Sequence, residues 1–162
     1  MLHMASLEVT YMNIKVFSIE KSSNKTVDVL NKEFMKMISK NATIEDVVLF
    51  NKQIALAQVK GEKEAKESYT KIYEPHLKGY NIALDVSGHV CDSFEFSEIF
   101  DNEVNVNFFI GGAFGFNKEF LNKTQKIISL SRLTYAHKIA KIVLYEQIYR
   151  GLCIKTNHPY HK

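Results

Sequence analysis

Residues Val104–Gly112, VNVNFFIGG, constrain this chain more than any other stretch. A half-exposed strand alternates apolar and polar side chains, whereas one that ends in Phe108-Phe109-Ile110 has to be covered on both faces. Covering both faces takes helices in the connections, and therefore a parallel or mostly parallel sheet. The remaining sequence supplies such parts in alternation. MNIKVFSI (12–19), ATIEDVVLF (42–50), YNIALDVSG (80–88) and KIISLSRL (126–133) read as further strands. Val27, Leu30, Phe34, Met37 and Ile38 fall on one helical face, with the polar Asn24-Lys25-Thr26 before them to cap it. Residues 51–77 are rich in Lys, Glu, Ala and Gln and predict a long helix that Gly61 breaks or kinks. A short helix is expected over Ser93–Phe100, a short helix or turn over 115–125, and an amphipathic helix over Tyr135–Tyr149. The expected fold class is α/β, a mostly parallel sheet flanked by helices.

A chain of 162 residues is one domain's worth, and 46% hydrophobic with 24% charged side chains is a folded composition. Methionines at 1, 4 and 12, with regular patterning only from Met12, mark residues 1–11 as a cloned leader and leave 12–162 as a single domain. Cys91 and Cys153 stand far apart and outside any CxxC, so neither a disulfide framework nor a metal site is expected, and a reducing, cytoplasmic location follows. No apolar run approaches a bilayer-spanning length. Charge is unevenly placed: residues 118–162 carry nine basic and two acidic side chains, against 12 and 16 in the 117 residues before them. Such a basic quarter is either a solvated helix face or the footprint of a phosphate-bearing partner.

In an open α/β sheet, ligands bind beyond the carboxyl ends of the strands. Three such ends stand out: 84–88 (LDVSG), 110–115 (IGGAFG) and 129–134 (SLSRLT). The glycines of the second allow a tight turn or the close approach of a ligand to backbone, and the spacing is not that of the dinucleotide fingerprint. Apolar walls with little side-chain charge suit a flat ring read by main-chain groups better than a polyphosphate. An adenine-bearing small molecule fits that description.

Three segments in series, VNVNFFIGGAFG, then ISLSRLTYAHKIAKIVLYEQIYRG, then TNHPYHK, resemble the SPOUT-class methyltransferase family that modifies N3 of a pseudouridine in large-subunit (23S) ribosomal RNA. The similarity runs from Met12 to Lys162. It implies an α/β fold with a deep C-terminal trefoil knot, S-adenosylmethionine as methyl donor, an obligate homodimer, and action on a hairpin loop of the assembled ribosome. Neither DNA nor a membrane is an implied partner. Carried over residue by residue, the donor pocket falls on Leu84, Gly111, Gly112, Gly115 and the run Leu130, Ser131, Arg132, Leu133, Thr134 and Tyr135. Ala136 departs from the pattern, since many relatives have proline there.

Methyl transfer from a sulfonium needs alignment of nucleophile and methyl more than acid–base machinery, yet an imide nitrogen must still lose its proton. His158 and His161 are the candidate acceptors, each with a structural hydrogen bond as the alternative role. The tail is expected to fold over the donor pocket, with Asn157, His158, Tyr160 and His161 on the target base. Arg150, expected just after the last helix, would grip an RNA phosphate or base carbonyl, or else complement the helix dipole. Glu146 reads as the partner of a basic neighbour. The stripe Ile139, Ile142, Val143, Tyr145 and Ile148 reads as core plus subunit interface. The competing functions are a knotted methyltransferase of transfer RNA and a non-catalytic RNA-binding protein of the same fold.

Overall fold

The computed structural model describes residues 11–162. The expected leader thus lies outside the described residues except for Tyr11, whose hydroxyl donates to the Lys40 carbonyl (3.3 Å).

Five strands form one sheet: β1 (Asn13–Ile19), β2 (Thr43–Leu49), β3 (Tyr80–Val90), β4 (Asn105–Ile110) and β5 (Lys126–Ser129). Their order is β2-β1-β4-β3-β5, and every pairing is parallel. The strand expected to be covered on both faces is therefore central: from Val106 to Ile110 every residue of β4 is buried.

Two-residue alternation sends Ile14, Val16, Ile82, Val106, Phe108 and Ile110 to one face, and Phe17, Ile19, Ala83 and Phe109 to the other. On the first face lie α1 (Lys25–Ile38), α4 (Ser93–Ser97) and α6 (His137–Lys155); on the second, α2 (Lys52–Lys60), α3 (Glu62–Tyr73) and α5 (Lys118–Asn122). Asparagines cap the start of α1, as expected, and that of α2. Asn24 Oδ1 accepts from the amides of Thr26 (3.1 Å) and Val27 (3.3 Å), and Asn51 Oδ1 accepts from Ile54 (2.8 Å). Gly61 separates α2 from α3, as predicted for a break.

Three expectations are corrected. First, β5 ends at Ser129, not Leu133. The Ser129 hydroxyl donates to the Ser131 carbonyl (2.8 Å), and the Leu133 amide donates to Ser131 Oγ (3.0 Å), which turns the chain out of the sheet. Second, β3 does not stop at Gly88: Leu84 and His89 both lie opposite Ile128, so the chain loops out between them and pairs again up to Val90. Third, α6 begins two residues later than predicted and runs six residues further, so Arg150 stands inside the helix.

The buried side of α6 takes in part of the expected stripe. Tyr145 and Ile148 are buried with Leu144, Leu152 and Cys153, whereas Ile139 is exposed. Lys141 is buried as well, at 2% exposure, with Nζ 2.8 Å from Asp46 Oδ1, 3.3 Å from Glu20 Oε2 and 3.0 Å from Ser18 Oγ. A lysine survives burial when carboxylates and hydrogen bonds replace its water. This network ties the first turns of α6 to β2 and to the end of β1.

Candidate active site

The carboxyl ends of β3, β4 and β5 converge on a cleft of about 620 Å³. Its walls contain Leu84 from β3, Gly111, Gly112 and Gly115 from the loop after β4, and Leu130, Ser131, Leu133, Thr134 and Tyr135 from the segment after β5. Nine of the ten residues assigned to the donor pocket from sequence are thus brought to one place. Arg132 is the exception: exposed, it does not belong to the cleft lining.

The glycine loop is fixed from beneath by α3. Tyr73, fully buried, donates its hydroxyl to the Ile110 carbonyl (2.7 Å) at the last residue of β4. Burial first, then the charge of Glu20, pushes that phenol well above its ordinary range, so it stays protonated and donating. A Cβ on Gly112 would lie 2.4 Å from Cζ of the buried Tyr69, so only glycine fits between that ring and the cleft. Gly115 takes φ +74°, and its amide donates to the Gly112 carbonyl (3.0 Å), closing the turn. Downstream, Asn117 caps α5 at the Phe120 amide (2.9 Å) and accepts from Thr70 (2.9 Å).

Sequence reasoning passed over two cleft residues that carry charge. Asp85 Oδ2 accepts from the Ser87 amide (3.0 Å) and hydroxyl (2.5 Å), which orients the carboxylate in the loop that interrupts β3. Its place beside Leu84 at a strand end was the available signal. Lys66 reaches the cleft from α3, and nothing in the local sequence marks it.

The tail residues gather elsewhere. Asn157 adopts φ +54°, which reverses the chain after α6, and the His158 amide donates to the Cys153 carbonyl (2.9 Å). Tyr160 then packs edge-on against Tyr149, with ring centroids 4.7 Å apart, and donates its hydroxyl to Glu146 Oε1 (3.0 Å). Arg150 gives Nε (3.0 Å) and Nη2 (2.5 Å) to the same oxygen, sits over the Tyr160 ring (4.7 Å) and places Nη1 3.2 Å from His161 Nδ1. Glu146 raises the Arg150 pKa above its ordinary value, and burial followed by the Glu146 bond raises that of Tyr160. Glu146 is thus a partner of basic and phenolic neighbours, as expected. Arg150, expected beyond the helix, is instead clamped on its surface by groups from its own chain.

His137 and Ala140, at the start of α6, line the cleft, and Glu146 lies nine residues beyond His137. From Ala140, the nearer of the two, Glu146 is six residues on, about 9 Å along the axis at 1.5 Å per residue. None of His158, Tyr160 and His161 lines the cleft of its own chain.

A family model described as "Predicted SPOUT methyltransferase" matches residues 12–161. The chain belongs to that family. Among its relatives, proteins named "Ribosomal RNA large subunit methyltransferase H" from Aliarcobacter butzleri (strain RM4018) and Campylobacter concisus (strain 13826) are 56% and 50% identical over 151 residues, 93% of this chain and 100% of each relative. One of the same name from Campylobacter fetus subsp. fetus is 48% identical with the same coverage. A solved structure from Bacillus anthracis shares the fold at a TM-score of 0.51 and 11% identity, covering 92% of this chain and 96% of its own.

SPOUT methyltransferases take their methyl group from a donor of the S-adenosylmethionine type, and the cleft suits one. Apolar Leu84, Ile110, Leu130 and Leu133 offer surface for a nucleoside ring, and the oriented Asp85 carboxylate offers an acceptor for polar hydrogens or positive charge.

Proposed function

We propose that this chain transfers a methyl group from S-adenosylmethionine to N3 of a pseudouridine in a hairpin loop of 23S ribosomal RNA, acting on the assembled ribosome in the cytoplasm as a homodimer. The observation that carries this reading is the convergence of three strand ends on one cleft, in a chain 48–56% identical along whole relatives that are named for large-subunit ribosomal RNA methylation.

When bound, the donor supplies a methyl group on a positively charged sulfur. The chain's own residues hold and orient it. Leu84, Leu130 and Leu133 pack the nucleoside, the loop Gly111–Gly115 brings main-chain groups against it, and Ser131 to Tyr135 close the third side. Tyr69 and Tyr73 keep the loop rigid from behind, so that nucleophile and methyl meet at fixed geometry with little water. His158, Tyr160 and His161 contact the target base, and Arg150 holds Tyr160 and His161 in place. A tail anchored at Glu146, about 9 Å along the helix from Ala140 in the cleft wall, and absent from the lining of its own cleft, supports a dimer in which it serves the cleft of the second subunit. Exposed Val86 (72%), Leu133 (70%) and Ile139 (46%), which line or adjoin the cleft, support it further as apolar surface for a second copy to cover. A trefoil knot belongs to the same reading, carried by membership of the SPOUT family.

Mass mapping of ribosomal RNA tests the proposal. Purified protein, donor and ribosomes lacking the modification should yield one added methyl on a single pseudouridine of a 23S hairpin loop. Methylation of transfer RNA instead, or donor binding with no methylation of any RNA, overturns it.

A further inference from the structure

The two tail histidines share a feature: each engages Nδ1 in a bond within the chain. At His161 the partner is Arg150 Nη1, 3.2 Å away. A guanidinium has donors only and stays charged. Nδ1 must then be the bare, accepting nitrogen, and the ring proton sits on Nε2. At His158 the partner is the Tyr160 backbone amide, 3.2 Å from Nδ1 and equally unable to accept. The same tautomer follows. The His161 arrangement is braced, since Glu146 and the Tyr160 ring fix Arg150 while Phe94 stands edge-on to the histidine at 4.7 Å.

We infer that the tail works as a donor pair: His158 and His161 present Nε2–H to carbonyl oxygens of the target base, and neither ring removes the proton from the nitrogen that is methylated. In each ring the one lone pair able to take a proton already faces a donor of its own chain. The inference rests on the proposed function and deepens it by giving these side chains a role. An imide nitrogen between two carbonyls spreads the charge of its deprotonated form onto both oxygens, and two N–H donors there stabilise that anion as it forms. The displaced proton leaves to solvent water. The nitrogen–carbon bond then forms as the carbon–sulfur bond breaks, and the sulfur departs as a neutral thioether. A base with one carbonyl beside its nucleophile would use half of such a pair, which makes the tail selective for an imide.

Two substitutions at one position separate the possible roles. His161→Gln puts an amide N–H near the place of Nε2; His161→Asn puts an amide oxygen near Nδ1, where it still accepts from Arg150. With large ribosomal subunits lacking the modification and tritiated S-adenosylmethionine, His161→Gln should keep turnover within about tenfold, while His161→Asn should lose ~100-fold or more, the usual loss for a transition-state donor. Both should bind S-adenosylmethionine as the parent does, by calorimetry. Equal loss in both variants, equal retention, or activity only in His161→Asn overturns the inference. Imidazole nitrogen-15 resonances of the free protein give a second readout that needs no substrate. A bare Nδ1 with a proton on Nε2 supports the assignment, and the opposite tautomer or a doubly protonated ring overturns it, whether or not the parent methylates ribosomes.

Discussion

The ring of Tyr69 fills the space that a side chain at residue 112 would need, with Cζ 2.4 Å from where a Cβ would stand. Because Tyr69 is fully buried in α3 and its hydroxyl accepts from Gln58 Nε2 (2.8 Å), the ring cannot step aside cheaply. Gly112→Ala should therefore cost about 1–3 kcal/mol of stability as an overpacked site. Displacing the loop should also weaken donor binding at least tenfold, measured by calorimetry beside a thermal melt. An unchanged melt with unchanged affinity would show that the loop yields freely.

Lys141 should be the costliest charged side chain to remove. Lys141→Ala leaves Glu20 and Asp46 facing each other without their cation, and breaking a buried pair from one side costs about 3–5 kcal/mol. Urea denaturation reads this directly.

Alkaline pH should destabilise the fold through its buried phenols. Tyr73 and Tyr145 both have raised pKa values, burial being the larger cause in each and nearby carboxylates adding to it. An acid whose folded pKa lies above its unfolded value contributes stability that is fully present below the unfolded value. That stability is lost as pH rises from there towards the folded value. Above about pH 10, stability should fall by about 1.4 kcal/mol per pH unit for each of the two residues. Tyr145→Phe removes one of these two phenols and should flatten this limb.

Arg150→Lys should release the tail. Lysine keeps the charge but loses the fork that binds Glu146 and His161 together and the planar contact with Tyr160. Methylation of ribosomes should drop by at least tenfold while donor affinity holds. Deleting residues 157–162 should abolish methylation and likewise spare donor binding, since none of them lines the cleft of its own chain.

The layered fold was legible because apolar periodicity reports which faces are covered, and Phe108-Phe109-Ile110 does sit at the centre of the sheet. Periodicity says less about where an element ends. Tyr149-Arg150-Gly151 reads as a helix stop, yet α6 runs on through Gly151 to Lys155, and the Phe100 ring takes the place of a side chain at 151, 2.7 Å from where a Cβ would be. Lys141 was invisible for a related reason: a lysine counts as polar until the carboxylates that meet it, 95 and 121 residues away in sequence, are seen beside it. Most of the cleft lining was readable from three strand ends. The separation of the tail from that cleft was not, since it depends on the true length of α6.

That single helix begins in the wall of the cleft and ends under the tail. A residue inserted between Lys141 and Glu146 would turn everything beyond it by about 100° around the axis. Arg150 and its partners would then point to a different side of the molecule while every local contact among them survived. The spacing between these two positions therefore fixes how the tail cluster is turned relative to the cleft.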